Sequence, residues 1–401
     1  MFLELHILQN FAPANLNRDD TGSPKDCEFG GYRRARISSQ CLKRAIRTAF
    51  RQEQLLPADR LAARTKRLAE ELARRLELRG RDPAAAAVVA RAALKGLGLG
   101  VGEDGRTQYL LFLADSEIGA LTDLLDRGWD QLVAAAAAGG AEGGDSATAR
   151  ARPSARDAKK QSKSALPSEL GKALAASLSG TGAADLALFG RMLADLPDKN
   201  VDAACQVAHA LSTNRISMEF DFYTAVDDLK PEDTAGADML GTVEFNSACF
   251  YRYANVDLEQ LKSNLGSQDL ARETVEAFVR ASVVAIPTGK QNSMAAQNPP
   301  SFVFAVARRA GLCSLANAFL DPVQPDRSGD LMQNSIKRLD SYWGRLSRMY
   351  GDGGVTGGWL CTTEDGCLDR LAAYRVDNLD RLVDGMLEGI RFGGDRSGSL
   401  A

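Results

Sequence analysis

The order of hydrophobic segments along the chain restricts its fold more than any other feature. With two long interruptions set aside, the segments read as strand, helix, strand, strand, helix and strand. They lie at residues 2–8, 39–50, 201–211, 243–253, 269–284 and 302–306. This is the βαββαβ pattern of the ferredoxin-like fold, which RNA-recognition domains also adopt. We therefore predict an α+β, RRM/ferredoxin-like core with insertions at about 57–200 and about 213–243.

The longer insertion is predicted to be helical, apart from a low-complexity stretch. Residues 57–79 carry leucines at helical spacing, and an Ala-rich helix is expected at 83–95. Residues 134–165 are rich in Ala, Gly and Ser, which cannot bury a core, so we predict a mobile loop. Gly100–Gly105 matches GxGxxG, but it follows a helix and lacks a Walker lysine, so a turn is the better interpretation.

Positive charge is concentrated between Lys25 and Arg51. This stretch holds eight lysines and arginines against two acidic residues, so it carries about +6 in a chain whose net charge is −3. Local fields of this kind are the usual mark of a phosphate-binding surface. A solvated basic helix face is the plain alternative. The nearby Arg18 and the pair Gly30–Gly31, which permits a tight turn or close approach of a ligand, favour binding.

Within this stretch, a short extended segment at 32–37 precedes a helix with charges along one side. Ser38 and Ser39 can cap its first turn, where free N–H groups and the helix dipole favour anions. Buried positions are predicted at Leu42, Ile46, Ala49 and Phe50. Three cations follow a neighbouring face, at Lys43, Arg47 and Arg51. With hydrogen-bond donors on Ser38 and Gln40, this arrangement predicts a cradle for a sugar–phosphate backbone.

Few residues suit catalysis or metal binding. The seven cysteines are scattered without a CxxC pair and only two histidines, His6 and His209, are present. We therefore predict no zinc site, no cofactor and structural roles for both histidines. Asp19–Asp20 and Asp227–Asp228 are candidate carboxylate pairs for metal-assisted phosphodiester cleavage. Adjacent strand residues point to opposite faces, so neither pair chelates a metal alone, and we predict no catalytic residue.

Targeting and membrane segments are not predicted. No apolar run reaches 18 residues, and the N-terminal MFLELHIL contains Glu4 and His6 without a leading basic region. It therefore reads as a first strand and not as a signal peptide. Scattered thiols fit a reducing compartment, so we expect a cytoplasmic protein without a membrane partner.

A set of motifs resembles the CasC family, the backbone (crRNA-binding) subunit of the type I-E CRISPR Cascade complex. In chain order the motifs are LNRDD, KD, FGG.RR.RISSQ.LKRA.R, AHALST, FYTAVDDL, GT.EF, FYRYANV and LANAF. They cover the first 50 residues and most of 186–343, and the resemblance is weak over 80–180 and after about 350.

The resemblance implies an RRM-like palm, a helical fingers insertion and a β-hairpin thumb. The implied boundaries on this chain are 1–56, 201–212 and 244–401 for the palm with the C-terminal region, 57–200 for the fingers and 213–243 for the thumb. The consensus aromatic RNP1 motif of RNA-recognition domains is absent, so base stacking on the sheet is not expected and phosphate contacts must carry the affinity.

The resemblance also implies a function without catalysis. Copies of the chain would polymerise head to tail along a CRISPR guide RNA, grip its phosphates and kink it at intervals, leaving exposed segments to pair with target DNA. Such a heterologous, non-closing contact generates a helical filament. The implied partners are the guide RNA, target DNA through the guide, further copies of the chain, and the large, small, CasD-type and CasE-type subunits.

Position by position, the resemblance implies two sets of RNA-binding residues. The palm set, which would hold guide phosphates, is Arg18, Lys25, Ser38, Gln40, Lys43 and Arg47. The kink set is Met192 on the fingers with Phe222, Tyr223 and Thr224 on the thumb. An apolar or aromatic wedge offsets part of the cost of unstacking a base. Core packing is the alternative for Met192.

The chain departs from the family at three places, one of which is Phe222, where a family member has a tryptophan. The family's KQRT loop reads KQNS at Lys290–Ser293, so one cation is missing, and the stretch 134–165 has no counterpart. Two other functions stay open at this point. One is a metal-dependent CRISPR ribonuclease, and the other is an assembly protein that never touches RNA.

Overall fold

A computed structural model gives the fold of the chain. It describes residues 1–102, 104–141, 168–225, 239–327 and 329–392. The chain forms two compact units. The first unit comprises Met1–Leu56, Cys205–Glu259 and Ala271–Ala401, and the second comprises Pro57–Ala204 and Gln260–Leu270.

The described residues contain eleven β-strands and twelve α-helices. The strands are β1 (Phe2–Ala14), β2 (Asp26–Phe29), β3 (Tyr32–Ile37), β4 (Ala62–Thr65), β5 (Leu111–Ala114), β6 (Cys205–Val207), β7 (Ala210–Ser212), β8 (Glu219–Ala225), β9 (Met239–Asp257), β10 (Phe302–Arg308) and β11 (Val355–Thr362). The helices are α1 (Ser39–Gln52), α2 (Leu68–Glu77), α3 (Pro83–Gly96), α4 (Asp115–Arg127), α5 (Trp129–Ala141), α6 (Ser168–Ser177), α7 (Ala184–Phe189), α8 (Leu258–Leu265), α9 (Gln268–Val284), α10 (Gln291–Met294), α11 (Leu331–Tyr350) and α12 (Leu379–Gly389).

The first unit is built on one antiparallel sheet whose centre has the predicted topology. The strand order is β11–β10–β1–β9–β7–β3–β2, and β6 and β8 also pair with β9. The four strands of the βαββαβ unit are β1, the broken strand β6–β7, β9 and β10. Across the sheet they stand in the order fourth, first, third, second, which is the ferredoxin-like order. The RRM/ferredoxin-like prediction is therefore confirmed, and β8 with β9 forms the predicted hairpin.

Helices cover both faces of this sheet. On one face, Leu5 and Ile7 of β1 line a common small cavity with Leu42 and Ile46 of α1. The successive residues of β1 alternate between faces, so Leu8 lies on the other side, in a buried cluster with residues of α11. An RNA-recognition domain that stacks bases on its sheet needs that second face open. Here α11 occupies it, which agrees with the missing aromatic motif.

The packing of α11 on the sheet is aromatic at its centre. The Trp343 ring meets Phe304 of β10 edge-on at 5.3 Å between centroids, and Arg308 lies 5.2 Å above the Trp343 ring. The helix begins with a capping box, in which Asp330 accepts from the Gln333 N–H, and it ends at Gly351. Local signals thus define the ends of α11, and its tryptophan fixes it to the sheet.

Helix α1 forms as its sequence predicts. The Ser38 side chain accepts from the Cys41 N–H at the N-terminus, and its buried face consists of Leu42, Ile46, Ala49 and Phe50. Helix α9, which matches the predicted helix at 269–284, buries Leu270, Val275, Phe278 and Val279. Helical spacing of apolar residues was sufficient in both cases because each helix packs one face on the sheet.

The second unit is mostly helical and has its own core. Leucines of α2, α3 and α4 form a buried cluster with Leu132, Leu174 and Leu178, and the two-stranded antiparallel sheet of β4 and β5 adds Leu111 and Leu113 to it. The prediction of one helix over 57–79 is wrong, because β4 pairs with β5 from Ala62–Ala114 to Thr65–Leu111, and the helix begins only at Leu68. The prediction of a turn at Gly100–Gly105 is confirmed, since the Gly102 N–H donates to Arg106 and Gly105 has φ 74°.

Other predictions are corrected or lie outside the described residues. The single strand at 201–211 is wrong, because two short strands, Cys205–Val207 and Ala210–Ser212, pair with β9 in its place. Of the predicted loop 134–165, the residues up to Ala141 are helical, and 142–165 lie outside the described residues, as does Asp227–Asp228. The palm, fingers and thumb boundaries stay a prediction. Among the described helices none is long and apolar enough to cross a membrane.

Candidate nucleic-acid interface

The loop that follows β1 is attached to the first turn of α1. The Asn17 side-chain Oδ1 accepts from the Ser38 N–H at 2.8 Å, and the Asn17 carbonyl accepts from the Lys25 N–H at 2.8 Å. Arg18 and Pro24 form a bridge within the same loop. Three predicted site residues, Arg18, Lys25 and Ser38, are thereby brought together around Asn17. Sequence reasoning did not single out Asn17, although it stands in the LNRDD motif.

The start of α1 offers hydrogen-bond donors, and its next turns offer charge. Ser38 is buried at 6% exposure and caps the helix, with its side chain accepting from the Cys41 N–H at 3.3 Å. Gln40 is exposed, and Lys43 and Arg47 are half-buried one and two turns further on. Lys43 and Arg47 are four residues apart, so they lie on one side of the helix. The arrangement suits an extended phosphate chain running along this side.

A second loop lies against the first. Gly289 approaches the backbone of Asn15 and Leu16 so closely that an added Cβ would meet the Leu16 oxygen at 2.4 Å. The KQNS segment follows immediately: Lys290 precedes the one-turn helix α10, and the residues on both sides of that helix, Lys290 (φ 51°) and Ala295 (φ 46°), are non-glycine αL residues. Such strained positions cluster at ligand-binding sites. The close approach at Gly289 therefore places Lys290 beside the loop that carries Arg18.

The charge of the basic stretch is only partly available at the surface. Arg34 is fully buried, and its guanidinium donates to the carbonyls of Ser212, Thr213, Phe319 and Leu320. Arg33 forms an ion pair with Asp26. The count of eight cations thus overstated the field, since one of them ties four backbone carbonyls together and another is neutralised. Arg33 and Arg34 therefore add little to the charge beside Ser38.

Gly30 serves a contact within the protein. It has φ 63°, and an added Cβ would lie 2.0 Å from the carbonyl oxygen of Leu320. Leu320 is also one of the carbonyl partners of Arg34, at 3.2 Å. Gly31, with φ 78°, has no atom within 4 Å of that position. The predicted close approach therefore exists at Gly30, but its partner is the chain's own backbone and not a ligand.

The two histidines differ. His6 is buried in the sheet, and its Nδ1 lies 2.8 Å from the Tyr251 hydroxyl, which itself accepts from the Leu315 N–H. His6 thus has a hydrogen-bond partner inside the protein, and the structural interpretation is confirmed. His209 is exposed, and its Nδ1 lies 3.1 Å from the Arg36 guanidinium. Partial burial and then the charges of Arg36 and Lys25 lower the pKa of His209, so it adds a neutral ring to the cradle.

An exposed β-hairpin extends from the sheet of the first unit. All seven residues of β8 are exposed, and the strand pairs with β9 from Glu219–Phe245 to Ala225–Met239. Phe220 and Phe222 are each 65% exposed and, being two residues apart, share one face. The predicted residues Phe222, Tyr223 and Thr224 stand on this strand. Phe220 was not predicted, although its alternation with Phe222 in EFDFYT marks it.

Tyr223 occupies the opposite face of the hairpin from Phe222. It stands across from Gly241 in the register, and a Cβ on Gly241 would meet the Tyr223 ring at 2.4 Å. The ring thus lies over the glycine, an arrangement that stabilises a strand lacking a side chain of its own. Tyr223 remains 42% exposed in that position. Exposed aromatic surface on both faces of this hairpin marks an interaction site.

Met192 belongs to the second unit, whereas the other predicted site residues belong to the first. Its side chain is 82% exposed, between two residues that are buried, Arg191 and Leu193. Core packing is therefore wrong as an interpretation of Met192. A large apolar side chain held out into solvent is the geometry that a wedge between bases needs.

The acidic residues near the cradle are part of the loop's own hydrogen bonding. Asp19 Oδ1 accepts from the Thr21 hydroxyl at 2.8 Å and from the N–H groups of Thr21 and Ser23. These bonds, the one from the Thr21 hydroxyl first, hold the pKa of Asp19 below its ordinary value. No cluster of three or more metal-ligating side chains occurs within the part of the chain that the structure describes. All seven cysteines are unpaired.

Comparisons with known proteins agree with this geometry. The family model of CT1975-like proteins matches residues 3–385. A search of curated proteins found no match. One similar solved structure is a chain of a "CRISPR RNA-guided surveillance complex, pre-nicking", with 32% identity and a TM-score of 0.80 over 97% of this chain and 99% of that one. Another, from a "CRISPR RNA-guided surveillance complex", has 27% identity and a TM-score of 0.71 over 97% and 100%. The resemblance to the CasC family is confirmed, and the chain belongs to the family of CT1975-like proteins.

Proposed function

We propose that this protein is the RNA-binding backbone subunit of a type I-E Cascade, a CRISPR RNA-guided surveillance complex. The observation that carries the proposal is the cradle in which Asn17 joins the loop of Arg18 and Lys25 to the capped start of α1. The similar solved structures, which are chains of CRISPR RNA-guided surveillance complexes, supply the context.

The cradle would grip phosphates without reading sequence. Its donors are the N-terminal N–H groups of α1, the side chains of Ser38 and Gln40, and the cations Lys43 and Arg47. Phosphate contacts fix register and orientation but carry no base information. The guide would therefore be held at any sequence, and recognition of the target would rest on base pairing by the exposed guide segments.

The exposed hairpin would act on a neighbouring copy. Phe220, Phe222 and Tyr223 present aromatic surface on both of its faces. An aromatic clamp on one copy and Met192 as a wedge can stabilise a base that has left the stack, at regular intervals along the filament. In this proposal the palm, fingers and thumb keep the boundaries given above, and the remaining Cascade subunits cap or line the filament.

We propose that the subunit does not cleave RNA. Asp19, one of the candidate carboxylates, accepts three hydrogen bonds from its own loop, so its oxygen is engaged in holding the loop's shape. The alternative of a metal-dependent ribonuclease predicts magnesium-dependent cleavage that Asp227→Ala or Asp228→Ala abolishes. Cleavage of that kind by the purified complex would overturn the non-catalytic part of the proposal.

Purification with its operon partners, followed by extraction of nucleic acid, tests RNA binding directly. We expect co-purifying guide RNA and an affinity that falls steeply with salt, with a log–log slope of about −0.7 per phosphate contacted. A flat slope, or a complex without RNA, would contradict the proposal and support an assembly protein. Electron microscopy of the same complex carrying Tyr223→Ala and Thr224→Ala should show altered filament spacing with little loss of affinity.

A further inference from the structure

The turn that carries Met192 is restrained on both sides by backbone hydrogen bonds. Arg191 and Val201 exchange two N–H to carbonyl bonds of 2.9 Å each. The Leu193 N–H donates to the Asn200 side chain at 2.6 Å. On the other side, Gly190 has φ 76° and lies so close to Val201 that an added Cβ would be 2.8 Å from its carbonyl oxygen. Hydrogen bonds and a close backbone contact thus hold the chain on both sides of Met192, while its side chain is exposed.

A buried ion pair lies beneath this turn. Arg191 donates through Nη1 to both carboxylate oxygens of Glu117, each at 2.8 Å, and the two side chains are each 1% exposed. The same guanidinium donates to the Lys199 carbonyl at 3.0 Å. Glu117 also accepts from the N–H groups of Ala114 at 2.8 Å and Gly180 at 2.7 Å. One pair therefore joins the Met192 turn, the segment before α4 and the segment after α6.

Stability alone does not account for this pair. The free-energy cost of removing two charges from water cancels most of the gain from their attraction. An apolar pair of similar volume would therefore stabilise the unit as well or better. What an apolar pair lacks is direction. The planar guanidinium forms hydrogen bonds at fixed angles, which orients the backbone it contacts. Met192 directly follows Arg191 in the chain. The Arg191 side chain is buried, and the Met192 side chain is exposed.

We propose that Arg191, through Glu117, is a positioning residue for RNA kinking: the pair holds the Met192 turn in the conformation that inserts between bases. The proposal rests on the proposed function, in which Met192 is the wedge. A supporting shell that fixes a contact residue before binding removes the cost of ordering its backbone on binding. A loose turn would still expose methionine, but it would lose the insertion geometry.

The first test needs no RNA. Glu117→Gln combined with Arg191→Met removes both charges and leaves one side-chain oxygen, which can accept from one of the two N–H groups that Glu117 serves. A matched control, Glu4→Gln combined with Arg308→Met, removes the buried ion pair of the first unit. We expect amide exchange at residues 190–193 to accelerate by about tenfold or more in the first variant and to stay unchanged in the control. Equal exchange in both would overturn the positioning role.

The second test uses the assembled complex with 2-aminopurine placed at successive guide positions. Wild type should show a periodic fluorescence increase at unstacked bases, and Met192→Ala should lose it. We expect the Glu117→Gln, Arg191→Met variant to lose it as well, with guide affinity within about threefold of wild type because the phosphate contacts remain. The Glu4→Gln, Arg308→Met control should retain the signal.

The outcomes separate this proposal from the proposed function. A periodic signal that needs Met192 but survives the Glu117→Gln, Arg191→Met change would overturn the positioning role and leave the wedge intact. A signal that survives Met192→Ala would overturn the wedge and, with it, the positioning role. Absence of guide RNA from the wild-type complex would contradict the proposed function, while the exchange result would still report on the turn itself.

Discussion

The carboxamide oxygen of Asn17 accepts a 2.8 Å hydrogen bond from the backbone N–H of Ser38, so a loop and a helix terminus form one surface. Together with the bond from the Arg36 N–H to the Lys25 carbonyl at 2.9 Å, it fixes the loop of Arg18 and Lys25 relative to the free N–H groups of α1. A phosphate-binding cradle needs both parts at once, because the helix start supplies directed donors and the loop supplies charge. Asn17 thus joins the loop of Arg18 and Lys25 to the start of α1, and the two together form the cradle.

Ser38 has two roles that substitutions can separate. Ser38→Ala should destabilise the protein by about 1 kcal/mol, because the bond to the Cys41 N–H at 3.3 Å is lost. Ser38→Asp should retain stability, since aspartate caps equally well and suits the helix dipole. The same aspartate should weaken guide binding by on the order of tenfold or more through repulsion of phosphate. Urea unfolding and RNA titration measure the two effects, and wild-type RNA affinity in Ser38→Asp would contradict the cradle.

Lys43 and Arg47 should contribute to affinity without contributing to sequence preference. We expect Lys43→Ala combined with Arg47→Ala to weaken binding of all guides alike and to reduce the log–log salt slope by about 1.4, because two phosphate contacts are lost. The matched control is Arg91→Ala with Lys95→Ala, which removes two exposed cations at the same spacing from α3. A sequence-selective loss, or an equal loss in the control, would argue against specific phosphate contacts.

The neighbouring glycines Gly30 and Gly31 form a matched pair for a stability test. Gly31→Ala should cost about 1 kcal/mol, because only its φ of 78° opposes a side chain. Gly30→Ala should cost about 3 kcal/mol, because its Cβ would also stand 2.0 Å from the Leu320 oxygen and displace the carbonyls that Arg34 holds. Denaturant midpoints measure both changes. Equal costs would mean that the Gly30–Leu320 contact relaxes freely.

His6 should make the protein sensitive to mild acid. Burial, and then the charge of Arg308, lower the pKa of His6 from 6.5 to about 3. Because the folded pKa lies below the unfolded one, the stabilisation is complete above pH 6.5 and is lost as the pH falls toward 3. One proton taken up on unfolding predicts a loss of about 2 kcal/mol between pH 7 and pH 5. Urea unfolding across this range measures it.

The control for His6 is a neutral amide at the same position. His6→Gln can still accept from the Tyr251 hydroxyl, but it does not titrate, so its stability should be nearly level from pH 7 to pH 5. His209→Gln should keep most of the wild-type dependence, since His6 remains in place. A wild-type pH dependence that persists in His6→Gln would assign the effect to other groups.

The spacing of apolar and capping residues predicted those elements that are determined by residues close to one another in the sequence. Helix α1 was predicted with its cap and its buried face, because Ser38, Leu42 and Ile46 act within three turns. Long-range pairing was harder to predict. The sequence predicts a helix for the residues of β4, but pairing with the distant strand Leu111–Ala114 makes them part of a two-stranded sheet. In a short segment, strand pairing of this kind outweighs the helix propensity of the residues.

The candidate site shows the same division between local and distant causes. Sequence alone determined the family, the ferredoxin-like order of elements, and the residues that the motifs single out for RNA. Tertiary structure decided what each charge does, because Arg34 and Lys43 belong to the same basic stretch and only packing buries one and leaves the other at the surface. It also decided that α11 covers the sheet, that Leu320 occupies the space at Gly30, and that Glu117 holds Arg191. Contacts between residues far apart in the chain depend on the whole fold, so no local pattern specifies them.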